Sequence, residues 1–403
     1  MASLKAFRCT QSLCRQLCNR TFATSARRLA EEVRIVEVGP RDGLQNEKNT
    51  VPLKTKLELI QRLATTGVRD IEAGSFVAPK WVPQMASSAE VLNHILGHPP
   101  IASNPIAYNF LVPNLKGLEN FIKASGEARN ANGENAPITS PKGPDEQRTP
   151  PPSPKAEEHE VPASNTSTQD PNEMPSINSG VDSPFGQRTS SPLSTEVSLF
   201  AAATEAFSRA NTNCSIAESL ERCKPIVALA KYHNIRVRGY VSVALGCPYE
   251  GPDVSPSKVA ELTASLLEMG ADEVSVADTT GMGTAPRTQE LLKALSAAGI
   301  ANKDLALHFH DTYGQALVNA VVGLEHGVRT FDSAVGGLGG CPYSKGATGN
   351  VATEDLLYCL HSLGATTGVD VEKMAEIGAW ITKELGRAND SRAGKALLAK
   401  MSL

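Results

Sequence analysis

Residues 272–310 read DEVSVADTTGMGTAPRTQELLKALSAAGIANKDLALHFH, and the order of patterns inside them decides the fold. The valine-rich run DEVSVADT suits a buried strand. TQELLKALSAAG spaces its leucines for one helix face and closes on Gly299, a residue suited to a helix C-cap. LALHFH is a second strand-like run, so the stretch predicts two parallel strands joined by a crossover helix.

The same alternation runs through most of the chain. The strand candidates are VRIVEV, VRDIEAGSF, PIAYNFLV, TEVSLFAAA, IRVRGYVSVAL, DEVSVADT, LALHFH and RTFDSAV, eight in all. Helical stretches such as LKTKLELIQRLATTG, SPSKVAELTASLLEMG and QALVNAVVGLEHG separate them. Eight βα units predict an α/β chain folded as a (β/α)8 TIM barrel. VEKMAEIGAWITKELG then lies beyond the eighth unit as an extra C-terminal helical element. An open doubly wound sheet is the competing arrangement, but no G-x-G-x-x-G follows the first strand to form its phosphate site.

Two segments leave this pattern. Residues 1–30 carry Lys5, Arg8, Arg15, Arg20, Arg27 and Arg28 with no acidic residue before Glu31, the composition of a transit peptide directing a chain to the mitochondrial matrix. Residues 126–194 hold nearly half of the prolines and a single aromatic, Phe185. Such a segment buries too little apolar surface to offset the cost of ordering, about 1–2 kcal/mol per backbone residue. It reads as a disordered Pro/Ser-rich insertion between the third helix and the fourth strand. The catalytic domain is then 31–385, and 386–403 is a C-terminal tail.

Composition excludes several functions. With 41% hydrophobic residues, 20% charged and a net charge of -4, the chain can bury a full core and carries no basic stripe for nucleic acid. No run reaches the roughly 18 apolar residues of a membrane span. The eight cysteines show no C-x-x-C and no zinc spacing, so they read as free thiols.

In such a barrel the chemistry sits where strands end, and those ends are polar here. Strand one runs into GPRDGLQNE, bringing Arg41 and Asp42; strand two brings Glu72 and Ser75; strand six ends in Asp278. On strand seven His308 and His310 stand at i and i+2, so both imidazoles face the mouth while Phe309 faces the helices. A lone histidine would read as a hydrogen-bonded core residue. The H-x-H pair with Asp42 as third ligand reads as a metal site, and oxygen and imidazole donors with open positions suit Mg2+ or Mn2+. Arg41 beside Asp42 reads either as a salt-bridge partner or as the cation that stabilises an enolate oxygen.

These residues sit in VEVGPRDGLQNEKN, SFVAPKWVPQM, PNLKG, NCSI, RGYVSVALGCPYEG, ADTTGMGT, HFHDTYGQAL and GGLGGCPYSKGATGNVATEDL. In this order they resemble the 3-hydroxy-3-methylglutaryl-coenzyme A lyases, a metal-dependent barrel family, over about residues 33–126 and 195–385. The resemblance implies an acyl-CoA substrate, 3-hydroxy-3-methylglutaryl-CoA, cleaved to acetyl-CoA and acetoacetate in leucine degradation and ketone-body formation, with a homodimer as the expected assembly. It implies Asp42, His308, His310 and Asn350 as ligands of the divalent cation, Arg41 at the enolate, and Cys341 as the catalytic thiol on a glycine-rich loop. Glu72, Asp278 and Glu354 match acidic positions that position groups or relay protons. His308 and Asp278 remain alternative proton acceptors. Lys48, Asn49 and Lys80, near the mouth, are the candidates for CoA phosphate contacts. The chain departs from the family pattern in its insertion and in Ala277, where glycine is expected.

Two other functions fit parts of the pattern. A Claisen-type synthase joining acetyl-CoA to a 2-oxo acid would share the Arg-Asp and H-x-H frame but is not expected to have GLQNE or the cysteine loop. A catalytically silent scaffold would use the proline-rich insertion to recruit a partner.

Overall fold

The computed structural model describes residues 32–131, 194–340 and 349–402. All eight expected strands form: β1 (Arg34–Glu37), β2 (Asp70–Ser75), β3 (Ala107–Leu111), β4 (Ser194–Ala202), β5 (Arg236–Ser242), β6 (Glu273–Asp278), β7 (Leu305–Phe309) and β8 (Thr330–Ser333). They pair in sequence order, all parallel, and β1 closes the barrel against β8 with Arg34 opposite Thr330 and Glu37 opposite Ser333.

Helices cover the outside of this barrel. They are α1 (Leu53–Ala64), α2 (Ser88–Gly97), α3 (Leu115–Ala131), α4 (Glu205–Thr212), α5 (Ile216–Tyr232), α6 (Pro256–Met269), α7 (Ala285–Ala297), α8 (Ala316–Glu325), α9 (Thr353–Ser362), α10 (Val371–Glu384) and α11 (Arg392–Met401). Their ends follow from local chemistry. Ser215 and Glu218 form a reciprocal capping box at the start of α5, and Gly270 ends α6 at φ 115°.

Parity along each strand separates two environments. Ile35, Ile71, Val197, Val274, Val276, Leu307 and Phe331 are buried in the apolar layer under the helices. The opposite parity fills the barrel with polar groups. Arg34 bonds to Asp70 (3.1 Å) and to Glu273, while Arg238 bonds to Glu273 (2.8 Å) and to Asp332 (2.7 Å). Buried charges persist only when paired and hydrogen-bonded, and these are.

Two boundaries differ from the sequence reading. Helix α3 runs on to Ala131 rather than stopping near 126, because Ala124 and Ala128 still bury against the core. Residues 386–402 are more than the tail that the sequence sets there. They hold α11, whose first turn is gripped by Asp355: its carboxylate accepts from Ser391 Oγ (2.7 Å) and from the backbone N–H of Ala393 (2.6 Å) and Arg392 (3.1 Å). An anion at a helix N-terminus is favourable, and here it docks the helix. The remainder of the proline-rich insertion, the transit-peptide segment and Cys341 lie outside the described residues.

Candidate active site

The turn after β1 is a wide helical turn, Gly39–Gly43, and it lifts Arg41 and Asp42 over the barrel mouth. Strand β7 supplies His308 and His310, each 6% exposed, with ring centroids 5.2 Å apart. The Nε2 atoms of His308 and His310 lie 4.0 Å and 3.9 Å from Asp42 Oδ2. One donor atom from each of the three side chains falls within 4.8 Å of the others. The structure thus brings together the three side chains that the sequence groups as candidate ligands.

Asn350 joins it from the segment that re-enters beside β7, where it bridges to His310. Its Nδ2 donates to Asp42 Oδ2 (3.0 Å) and to the Leu338 carbonyl (3.1 Å). Its Oδ1 is buried without a partner, as is His310 Nδ1. A buried polar atom left unpaired is costly, so an acceptor oxygen beside a carboxylate and two imidazoles marks a place for a cation. The donor set of carboxylate, two imidazoles and amide oxygen fits a hard divalent ion, and among the described residues no cysteine takes part in it.

Electrostatics match that reading. Burial opposes the charge on Asp42, but Arg41 and the two histidines outweigh it and hold its carboxyl near 2. Burial, and then His308, push His310 down to about 4, so it stands neutral as a ligand must. Burial also works against a charged His308, yet its hydrogen bond to Asp332 raises its pKa.

That bond belongs to a circuit the sequence reading did not foresee. Asp42 pairs with Arg41 (2.6 Å) and Arg41 with Glu72 (2.6 Å). Glu72 accepts from Tyr240 (3.4 Å), and Tyr240 from Arg238 (2.9 Å). Arg238 binds Asp332 (2.7 Å), which faces His308 Nδ1 at 3.3 Å. The chain of contacts leaves the cluster at Asp42 and returns to it at His308. Its signal was the period-two row Arg236, Arg238, Tyr240, Ser242 on β5, where a buried parallel strand should be mostly apolar.

Above the cluster opens a cavity of about 730 Å³, lined by Arg41, Asp42, Ser75, Tyr240, His308 and His310 together with apolar groups such as Leu111, Phe207 and Ile226. Its wall mixes apolar and polar side chains, Asn46, Asn114, Asn213 and Arg222 among the latter, and suits an organic ligand that carries polar groups.

Residues 32–133 and 187–381 match the HMGL-like family model. The chain belongs to the HMGL-like family. It is 44% identical over 372 residues to the 3-hydroxy-3-isohexenylglutaryl-CoA/hydroxy-methylglutaryl-CoA lyase of Pseudomonas aeruginosa, covering 92% of this chain and 99% of that one. It is 42% identical over 368 residues to the mitochondrial hydroxymethylglutaryl-CoA lyase of Macaca fascicularis, covering 91% and 90%. The crystal structure of the hydroxymethylglutaryl-CoA lyase from Pseudomonas aeruginosa superposes with a TM-score of 0.71 at 43% identity, covering 93% of this chain and 99% of that one.

Not every residue that the HMGL-like resemblance implicates reaches the cavity. Glu72 is fully buried beneath Arg41 and is absent from the cavity wall; burial raises its pKa despite that partner. Asp278 follows the cavity-lining Ala277 and faces the β6–α7 turn, where its Oδ2 accepts from the Gly283 N–H (2.9 Å). Glu354 accepts from the Gly336 N–H (2.9 Å and 3.1 Å) at the exit of β8. Lys48 and Asn49 are exposed and do not line the cavity; the Asn49 carbonyl is bound by Gln84 (2.9 Å). Lys80 is exposed beside Trp81, which does line it.

Proposed function

We propose that the chain cleaves 3-hydroxy-3-methylglutaryl-CoA to acetyl-CoA and acetoacetate, acting as a divalent-metal-dependent carbon-carbon lyase. The observation that carries this reading is the Asp42, His308 and His310 cluster, with Arg41 beside it, at the floor of an organic-ligand cavity. Kinship with lyases favours it over the Claisen-type synthase and over a silent scaffold.

Asp42, His308, His310 and Asn350 would hold Mg2+ or Mn2+. When bound, the cation supplies positive charge that makes the substrate's 3-hydroxyl more acidic. The proton acceptor is Asp278 rather than His308. His308 has one ring nitrogen facing Asp332 and the other facing Asp42, whereas Asp278 keeps a buried Oδ1 without a partner. Burial lifts the Asp278 carboxyl to about 6, suited to a base near neutral pH.

Arg41 stabilises the enolate that cleavage leaves. Its Nη1 and Nη2 pair with Asp42 and Glu72, while its Nε is buried and unpartnered, a donor left for an oxyanion. Cys341, with a reference thiol pKa of about 8.5, delivers the proton to the enolate carbon. Residues 1–30 direct the chain to the mitochondrial matrix, in keeping with its mitochondrial relative.

Turnover of 3-hydroxy-3-methylglutaryl-CoA should vanish with EDTA and return with Mg2+ or Mn2+. Activity indifferent to chelation, or CoA release from acetyl-CoA plus a 2-oxo acid without any cleavage, would refute the proposal.

A further inference from the structure

Glu37 plays no part in the chemistry above, yet it is a fully buried carboxylate in the layer between barrel and helices. Three donors converge on it. Its Oε1 accepts from the backbone N–H of Gly39 (2.8 Å) and of Val335 (2.9 Å), and its Oε2 from the hydroxyl of Thr353 (2.6 Å). Each donor sits on a different piece of chain. Gly39 opens the turn that carries Asp42 three residues later, Val335 follows β8, and Thr353 stands three residues after Asn350.

The approach is close enough to restrict sequence elsewhere. A Cβ placed on Gly39 would stand 2.5 Å from Glu37 Oε1, so the residue preceding the Arg41–Asp42 turn needs glycine for Glu37 to reach it. A carboxylate offers about four lone-pair directions, enough for three donors, and few other side chains do. An apolar residue would leave the Gly39 and Val335 N–H groups without this acceptor and Thr353 with Ser333 alone (2.9 Å).

We propose that Glu37 is the positioning residue that sets the Asp42 turn and the Asn350 segment at the distance the metal requires. Asp42 and Asn350 come from opposite ends of the chain and meet at 3.0 Å. Glu37 is the acceptor common to both approaches. It touches neither ligand and acts through backbone and hydroxyl. The inference rests on the metal site proposed above.

The test is Mn2+ affinity, measured by calorimetry or by the EPR signal of free Mn2+, on wild type, Glu37→Gln, Glu37→Asp and Glu37→Ala. Gln keeps reach and an acceptor oxygen, so it should bind within about threefold of wild type. Asp keeps the charge but withdraws the acceptors by one methylene, and Ala removes them. Both should weaken binding by about 10- to 100-fold, the size of effect seen for groups that orient metal ligands. Leu295→Ala, a buried truncation on α7 far from these contacts, controls for destabilisation and should keep its affinity. If Ala does not fold, the Gln and Asp variants still decide. Wild-type affinity in Glu37→Asp, or equal loss in Leu295→Ala, overturns the role of Glu37. Failure of wild type to bind Mn2+ overturns the metal site itself.

Discussion

Replacing Asp332 with asparagine tests the circuit that ends on His308. Three donors face this carboxylate: Arg238 Nη2 (2.7 Å), Ser275 Oγ (2.9 Å) and His308 Nδ1 (3.3 Å). Asparagine has the same shape but one acceptor oxygen, so it cannot serve all three. A ligating histidine is neutral, which makes its contact with Asp332 a hydrogen bond to a charged group, about 1.5–3 kcal/mol. At 3.3 Å the bond is long, and the lower end applies. That converts to roughly 10- to 30-fold weaker metal binding, at about 1.4 kcal/mol per decade. Stability will also fall, by up to about 3–5 kcal/mol, because Arg238 loses one of its two buried carboxylate partners. Arg238→Met added to Asp332→Asn separates the two effects. It removes the cation left with Glu273 as its one carboxylate partner and should recover part of the unfolding midpoint while leaving the Mn2+ affinity low. Calorimetric titration with Mn2+ alongside denaturant unfolding gives both numbers. If Asp332→Asn binds Mn2+ within about threefold of wild type, the carboxylate does not orient His308 and the reasoning fails.

Two further outcomes are expected. Cys341→Ala should retain Mn2+ binding and lose most turnover, measured as acetoacetate release; near-normal turnover would remove it as the acid. Glu354 should shape the pH dependence of stability. Burial lifts its carboxyl from 4.5 to about 8, so across that interval the unfolded chain loses a proton that the fold keeps, and stability falls as pH rises. Glu37, raised to about 7 by burial, acts in the same direction. Urea midpoints should therefore drop between pH 5.5 and 8 in wild type and drop less in Glu354→Gln, and identical slopes would count against the assignment.

The barrel was legible because its signals are local and repeated: each strand run has a helical run beside it and a turn residue between. The H-x-H pair was legible for a related reason, since strand parity fixes which way both side chains face once β7 is recognised. Asp278 and Glu354 show where this stops. One sits at a strand end and the other at a helix start, both named by the family motifs, and both bind backbone N–H groups instead of lining the cavity, Asp278 through Oδ2 alone. Strand ends splay, and a residue at the last position can follow either the barrel or the turn. Asp332 and Arg238 were missed because their importance lies in contacts between strands, set by barrel stagger rather than by sequence spacing. Glu37 was invisible for the same reason, its three donors being spread from residue 39 to residue 353.

The closed course of the polar circuit constrains how such a protein can change over generations. A branched network has peripheral members that can drift without consequence, whereas a loop of seven side chains running Asp42, Arg41, Glu72, Tyr240, Arg238, Asp332 and His308 has no periphery. Each member holds at least two neighbours, Asp42 and His308 closing the course at 4.0 Å, and a change at one leaves a group on either side short of a partner. Viable histories then pass through compensated pairs, so that the fitness effect of a substitution at Arg238 depends on the residue already standing at 332. The core of this barrel should thus evolve as one inherited character, while its outer helices are free to diverge position by position.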